Sequence, residues 1–496
     1  MDSKNTETTR YLCAAAHLNS NFCNQVIEQI IEEEHKAISR SYGVDSFVVV
    51  KHCLAARRRR MIRDIVLAIL FVLSIFVVTS GNDLGYYSEG FEEPFYSIFI
   101  PVDFYIRYFV VSPFFVLACA IVFWESWVGR YRIVANNMLR KNLNPDFVKF
   151  EGNTTLKNRL KEIANEQNCN VIIYGGFSPF VGSGFDIGGW SFALDVNKGK
   201  EELNRTLKPL PFQVKELYNY VSKTIWELKI DGLSIEDGLY VNGEEIRDDA
   251  RFLPNPLTRP HIQVTPSLLK EFVENPTPGI RHYKCIQLMS WKGELVISIF
   301  LRFANIGQNL FIEASYFLLT PLKEEYRKVD TMQPKPTLLK RLALAWESAL
   351  ITVFLWPFSL LISFSKIFNS FIKRRERRKN ERLIKGNPTF NYGAITSIRE
   401  LAASPNYRRY FQKLDKEMYL KVIERQILDR IVDFLDSKNI DTSDLKERQT
   451  AILNNGVIVS GGSVKAQSLS VGEQAKSVVA SFTKTAKSQT RQTQQQ

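Results

Sequence analysis

The chain has 496 residues, 45% of them hydrophobic and 24% charged, and 65 basic against 52 acidic side chains leave a formal charge of +13. That length is too great for one ordinary domain. The composition excludes both a disordered chain and a transporter made mostly of membrane helices. Six cysteines (Cys13, Cys23, Cys53, Cys119, Cys169, Cys285) are scattered without a CxxC, and the five histidines do not join them at metal-ligand spacing. This usage fits a reducing compartment and gives no metal site and no cofactor.

Residues 1–60 read as a cytoplasmic helical region, too polar and too long before the first apolar run to be a cleaved signal peptide. Phe22, Val26, Ile27, Ile30 and Ile31 recur at helical spacing, and Asp45 stands where it would cap the helix that follows Tyr42-Gly43-Val44. Glu32, Glu33, Glu34 and His35 are consecutive and do not share a helix face, so they read as a solvated helix end and not as metal ligands.

The stretch 61–130 reads as a transmembrane hairpin, with helices over about 61–80 and 109–127, the second ending in the interfacial aromatics Trp124 and Trp127. Arg57, Arg58, Arg59 and Arg60 precede the first helix, and Arg130, Arg132, Arg140 and Lys141 follow the second. The connection from Gly81 to Asp103 is acidic without a basic residue, and Arg107 is the one basic residue that follows it before the second helix. Positive charge stays on the cytoplasmic side, so both ends of the hairpin are expected inside and the short acidic loop outside.

Residues 131–340 read as a cytoplasmic α+β domain with an antiparallel sheet. Asn170–Tyr174 is strand-like, and HYKCIQLMSW, ELVISIFLRFA and LFIEASYFLL form a meander with turns at Lys292-Gly293 and Asn305-Ile306-Gly307. In the middle strand Leu295, Ile297, Ile299 and Leu301 share one face. The other holds Glu294, Val296, Ser298, Phe300 and Arg302, a mixed set expected to meet water.

Between these lies a glycine-rich passage, GGFSPFVGSGFDIGGWSFALDV, the most distinctive local feature. It lacks the Lys of a phosphate loop, and Gly182-Ser183-Gly184 is followed by Gly188, one residue too far for a dinucleotide fingerprint. Asp186 and Asp195 stand nine apart, a spacing that does not by itself supply a two-metal site. A tight loop pinned to the core by its aromatics is the plainest reading. If the loop binds a ligand, Ser178, Ser183, Asp186 and Trp190 are its polar and stacking groups. No residue reads as catalytic, and His261 and His282, without a nucleophile signature beside them, read as surface or sheet residues.

The stretch 341–372 is a third membrane segment interrupted by Pro357, with Glu347 near its start. Nine basic residues against two acidic ones lie at or beyond its end, and they include the basic block 373–387 with Arg374, Arg375, Arg377 and Arg378. A single crossing would place that block outside, so re-entrant, interfacial and spanning arrangements all stand open. The block and Arg57–Arg60 are expected on anionic lipid, where each basic residue contributes about 1 kcal/mol, and no nucleic acid is expected.

Residues 388–450 read as a helical module, in which Tyr407–Asp436 carries a long apolar stripe of coiled-coil type that its own chain or a second subunit must bury. Residues 451–479 are short and β-rich, and 480–496 are polar and expected to be disordered. The segments YGGFSPFVGSGFDIGGWSFALD, YFQKLDKEMYLKVIERQILD and ILNNGVIVSGGSVKAQSLSVGE resemble a family of uncharacterised bacterial multi-pass membrane proteins. That resemblance implies a bacterial inner membrane and no particular chemistry. The expectation is an oligomeric sensor, scaffold or effector with a cytoplasmic ligand- or partner-binding domain, leaning away from an enzyme. The alternatives are an oligomeric pore with Glu125 or Glu347 facing water, and an enzyme that handles nucleotides.

Overall fold

The computed structural model describes residues 6–80, 102–140, 144, 147–148, 154–166, 169–202 and 205–454. One compact unit covers Met1–Glu447, and a second piece covers Arg448–Gln496. The expected external loop lies almost wholly outside the described residues, and the β-rich segment and the tail lie mostly or wholly outside them.

The chain opens with α1 (Glu7–Leu18), capped by the Thr6 hydroxyl, and every residue from Thr8 to His17 is buried. A helix buried all round needs small side chains where neighbours approach, and Ala14, Ala15 and Ala16 supply them. Around it pack α2 (Ser20–Val26) with a π-turn over Ile27–Glu32, the first half of α3 (Ser46–Ser80), α4 (Val102–Trp127) through its own π-turn Val128–Ala135, and α5 (Thr154–Glu166). Asp45 caps α3 as its position predicts, accepting from Val48 N–H at 3.1 Å. The helix does not end at the arginines. Val48 to Ala56 sit in the helical core, and Ile62, Ile69, Val72 and Phe76 further along are exposed on the same 35-residue helix.

The sheet has β1 (Val171–Tyr174), β2 (Phe185–Asp195), β5 (Leu233–Asn242), β6 (Ile280–Ser290), β7 (Leu295–Ile306) and β8 (Asn309–Leu319), while β3 (Glu201–Glu202) and β4 (Arg205–Thr206) form a separate ribbon. The order is β1-β5-β6-β7-β8-β2. The meander is antiparallel as expected, but β1 pairs parallel with β5, so the sheet is mixed. Much of the glycine-rich passage is also strand: it forms edge strand β2 against β8, with a bulge between Asp186 and Gly188.

One sheet face is covered by α6 (Val214–Trp226), α7 (Pro266–Glu274) and α10 (Tyr410–Ser437). Tyr218 of α6 accepts Phe303 N–H at 2.8 Å and lies edge-on to His282, which bonds Asp237 at 2.9 Å. The opposite face does not meet water along the middle strand as its mixed pattern suggested: Val296, Ser298 and Phe300 are 0–1% exposed. Val296 packs with Tyr42 and Leu319, and Phe300 is covered by Phe180, which comes from the glycine-rich loop 120 residues earlier. Its ring stacks on Phe300 at 4.1 Å and meets Tyr240, Tyr283 and Phe317 within 5.3 Å.

After a 3-10 turn at Glu324–Thr331, α8 runs unbroken over Leu338–Gly386, so Pro357 does not end it. Proline removes one backbone hydrogen bond, a loss that helices packed on neighbours tolerate. The basic block is therefore the end of this same helix. Beyond it, α9 (Ile398–Leu401), α10 and α11 (Ser443–Asn454) follow. The second half of α10 buries its stripe on its own chain through Ile427, Ile431 and Leu435, whereas Phe411, Leu414 and Met418 in the first half are exposed.

Because Phe180 sits at the centre of the aromatic cluster on one sheet face, Phe180→Ala should destabilise the fold by about 3–5 kcal/mol, read from the urea midpoint of the detergent-solubilised protein. A loss below about 1 kcal/mol would contradict its place in the core.

Candidate functional site

Two assemblies of polar groups stand out, the glycine-rich loop and a charged junction where the apolar halves of α3 and α4 begin and end. The loop is held from beneath by Glu400 of α9, one of whose carboxylate oxygens accepts both Gly182 N–H and Gly184 N–H at 2.9 Å. Its other oxygen accepts Ser397 N–H and the Thr396 hydroxyl. Burial pushes the Glu400 carboxyl above its ordinary value against these hydrogen bonds. Gly182 and Gly184 have φ of 93° and 90°, and a Cβ on either would stand 2.4 Å or less from a backbone oxygen, of Arg40 and Leu318 respectively. Only glycine satisfies both demands.

The four candidate ligand groups do not converge. Ser178 is half-buried and its hydroxyl accepts Phe180 N–H at 3.4 Å. Ser183 is 1% exposed, its hydroxyl buried with no hydrogen-bond partner. Asp186 is exposed and folded onto Gly188 N–H at 2.8 Å, as Asp195 is onto Asn197 N–H at 2.9 Å, so both are turn-forming carboxylates. Trp190 points to the sheet face opposite Phe180, where its indole donates to Glu424 of α10 at 3.2 Å alongside Tyr316 at 2.6 Å. Among the described residues no group of three or more His, Cys, Asp or Glu is placed to hold a metal ion. What the loop offers to solvent is Phe177, fully exposed between Gly176 and Ser178.

The charged junction was not legible as a unit. Glu125, near the end of α4, takes Arg59 at 2.8 Å and Arg63 at 3.3 Å, and Arg63 also holds Asp64 at 2.7 Å. Arg59 reaches His17 Nδ1 at 3.1 Å, and His17 Nε2 lies 3.0 Å from His52 Nδ1. A guanidinium can only donate, so His17 Nδ1 is an acceptor, its proton sits on Nε2, and His52 Nδ1 accepts in turn. Arg60 donates to the carbonyls of Ala16 and His17 at the end of α1, and Arg57 pairs with Glu32. Of the four arginines expected on lipid, three thus bind the protein and Arg58 is exposed; the side chains of Arg374, Arg375, Arg377 and Arg378 lie outside the described residues. Arg130, just past α4, clasps Glu347 of α8 with both nitrogens at 2.6 and 2.8 Å. A lone carboxylate at the end of one apolar helix, facing a partner that begins with arginines, was the available signal.

A family model described as the AbeC-like domain matches residues 189–466, more than half of the chain. The chain belongs to the AbeC-like domain family. Neither the curated proteins nor the solved structures contain a match. The AbeC-like domain opens inside β2, after most of the glycine-rich passage and after the α3–α4 hairpin. It takes in α6, the meander, α8 and α10, so the third apolar helix is part of the domain and not an appendage to it.

Burial holds both His17 and His282 below the ordinary imidazole value, for His282 against the pull of Asp237. The unfolded chain then binds protons that the folded chain refuses, so stability is complete above about pH 6.5 and falls as pH drops below it. Thermal unfolding in detergent should shift downward from pH 7.5 to 5.5, and His17→Gln should flatten that slope. An unchanged slope would show that His17 titrates alike in both states.

Proposed function

We propose that this protein crosses the bacterial inner membrane through α3 and α4 and carries a cytoplasmic AbeC-like domain that binds a ligand or protein partner. It works as a sensor, scaffold or effector by conformational signalling and not by catalysis. The observation that carries this reading is the unbroken α3. One end is buried in the soluble core beside α1 and the other exposes the apolar residues of a candidate membrane span. A rigid helix shared by two environments transmits a tilt or shift of the hairpin into the core, and the Arg59–Glu125–Arg63 clamp forces α4 to move with it. Phe177 at the loop tip and the exposed stripe Phe411, Leu414, Met418 and Val422 on α10 are the surfaces proposed for the partner and for a second copy. A pore is less well supported, because both of its candidate carboxylates, Glu125 and Glu347, are spent on arginines.

The membrane reading predicts that the protein resists alkaline carbonate extraction and that Asn82→Cys is labelled by an impermeant maleimide on intact spheroplasts. Release by carbonate, or a protected Asn82→Cys, would refute it. The coupling reading predicts that Glu125→Gln, which leaves two largely buried guanidinium groups short of a charge, costs about 3 kcal/mol and exposes residues 33–45 to protease severalfold faster. A variant with unchanged proteolysis would show that the clamp does not hold the core.

A further inference from the structure

Segments on both sides of α8 build one core. Ala394 extends the sheet beside β1, its N–H donating to Ile173 at 2.9 Å while its carbonyl accepts Gly175 N–H at 2.8 Å. Arg399, fully buried, donates to the carbonyls of Glu294 and Thr320 at 2.9 and 2.5 Å. Glu424 joins α10 to β2 and β8, and Lys200 N–H donates to Asn439 at 2.9 Å. No bilayer can lie between chain segments that share backbone hydrogen bonds and a dry interior. We infer that α8 does not cross: it enters one leaflet from the side of the soluble domain, turns its large apolar face to the acyl chains, and returns to the same side with its basic end on anionic headgroups. The inference rests on α3 and α4 spanning the membrane.

The packing of α8 on the hairpin leads independently to the same arrangement. Glu347 is held by Arg130, and Ser363, sixteen residues later, donates to the Asp64 carbonyl at 3.0 Å. Those two anchors stand at one end of the hairpin, because Glu125, five residues before Arg130, is bonded to Arg63 beside Asp64. Between them Trp356 reaches further in, its ring 5.7 Å from Phe71 and 5.5 Å from Phe115. Phe71 is eight residues beyond Arg63, about 12 Å along a helix and less than half of a hydrocarbon core about 30 Å thick. Pro357 directly follows the deepest residue, at the middle of the segment between the two anchors.

The two faces of α8 differ in kind. Ser348, Thr352, Ser359 and Ser363 line the inner one, and the first three return their hydroxyls to carbonyls of their own helix, which lets neighbouring backbones approach without an unpaired polar group. Leu342, Trp346, Leu350, Phe354, Phe358 and Leu361 form the outer face, all 48–70% exposed. Lys340 and Arg341 at one end, and Lys379, Arg382 and Lys385 at the other, are exposed cations. An apolar stripe ended on both sides by positive charge, and continuous with a membrane hairpin, complements an anionic leaflet surface and no other occupant as well.

The test uses the full chain with single added cysteines at the exposed positions Asn144 and Asn387, treated with an impermeant maleimide before and after permeabilisation, with the unmodified protein as background. Both sites should be protected in intact spheroplasts and labelled once the membrane is opened, while Asn82→Cys is labelled throughout. Direct labelling of Asn387→Cys with Asn144→Cys protected would mean three crossings and overturn the inference while leaving the hairpin intact. A protected Asn82→Cys would instead strike at the hairpin reading itself.

Discussion

The burial of α1 on every side is the constraint from which the rest of the helical core follows. Its Arg10 is 1% exposed and cannot remain unpaired there, so the fold brings Glu7 to 2.5 Å, Asp330 to 2.7 Å and the Met138 carbonyl to 3.2 Å. Glu7 comes from α1 itself, while Met138 comes from the turn after α4 and Asp330 from the turn before α8, segments almost 200 residues apart. Tyr11 shares Asp330 and lies under both Arg10 and Arg327. Arg327 in turn meets Glu294 at the head of β7, whose other carboxylate oxygen accepts from Gln412 of α10. A single buried cation thus sits at one end of a network that joins the helical core, the sheet and the last long helix.

The same logic of charge taken out of water governs the other end of α1. There His17 passes hydrogen-bonding polarity from Arg59 to His52, and Arg60 covers the last carbonyls. The arginines from which the sequence suggests an orientation for the hairpin are thereby also its connection to the core. A sequence motif read as topology carries a second role that depends on partners outside its own segment.

Much of the local structure was legible because it depends on near neighbours. The meander with its two turns, the Asp45 cap and the apolar halves of α3 and α4 follow from periodicity and turn chemistry within a dozen residues. What was not legible depends on distance along the chain. Alternation in β7 tells which residues share a face but not that Phe180 will cover Phe300 and Tyr42 will cover Val296. Ser183 and Trp190 are adjacent to a plausible ligand loop in sequence, yet one is buried beneath it and the other faces α10 across the sheet. Pro357 read as a break because proline lacks an N–H, whereas packing against Phe71 and Phe115 keeps the helix continuous there.

The place of α8 in the chain also sets the order in which the protein is made. When the ribosome has released β8, the sheet still lacks the Tyr392–Ala394 segment beside β1, Glu400 beneath the glycine loop and the whole of α10 over Trp190. All three lie beyond the third apolar helix, so on the proposed topology the domain cannot close until that helix has left the translocation machinery and found its leaflet. Membrane integration would then be a prerequisite of folding and not a separate event. A nascent chain stalled before residue 390 would display an open sheet edge and an uncovered aromatic face, a substrate for chaperones and proteases that clear chains which fail to fold.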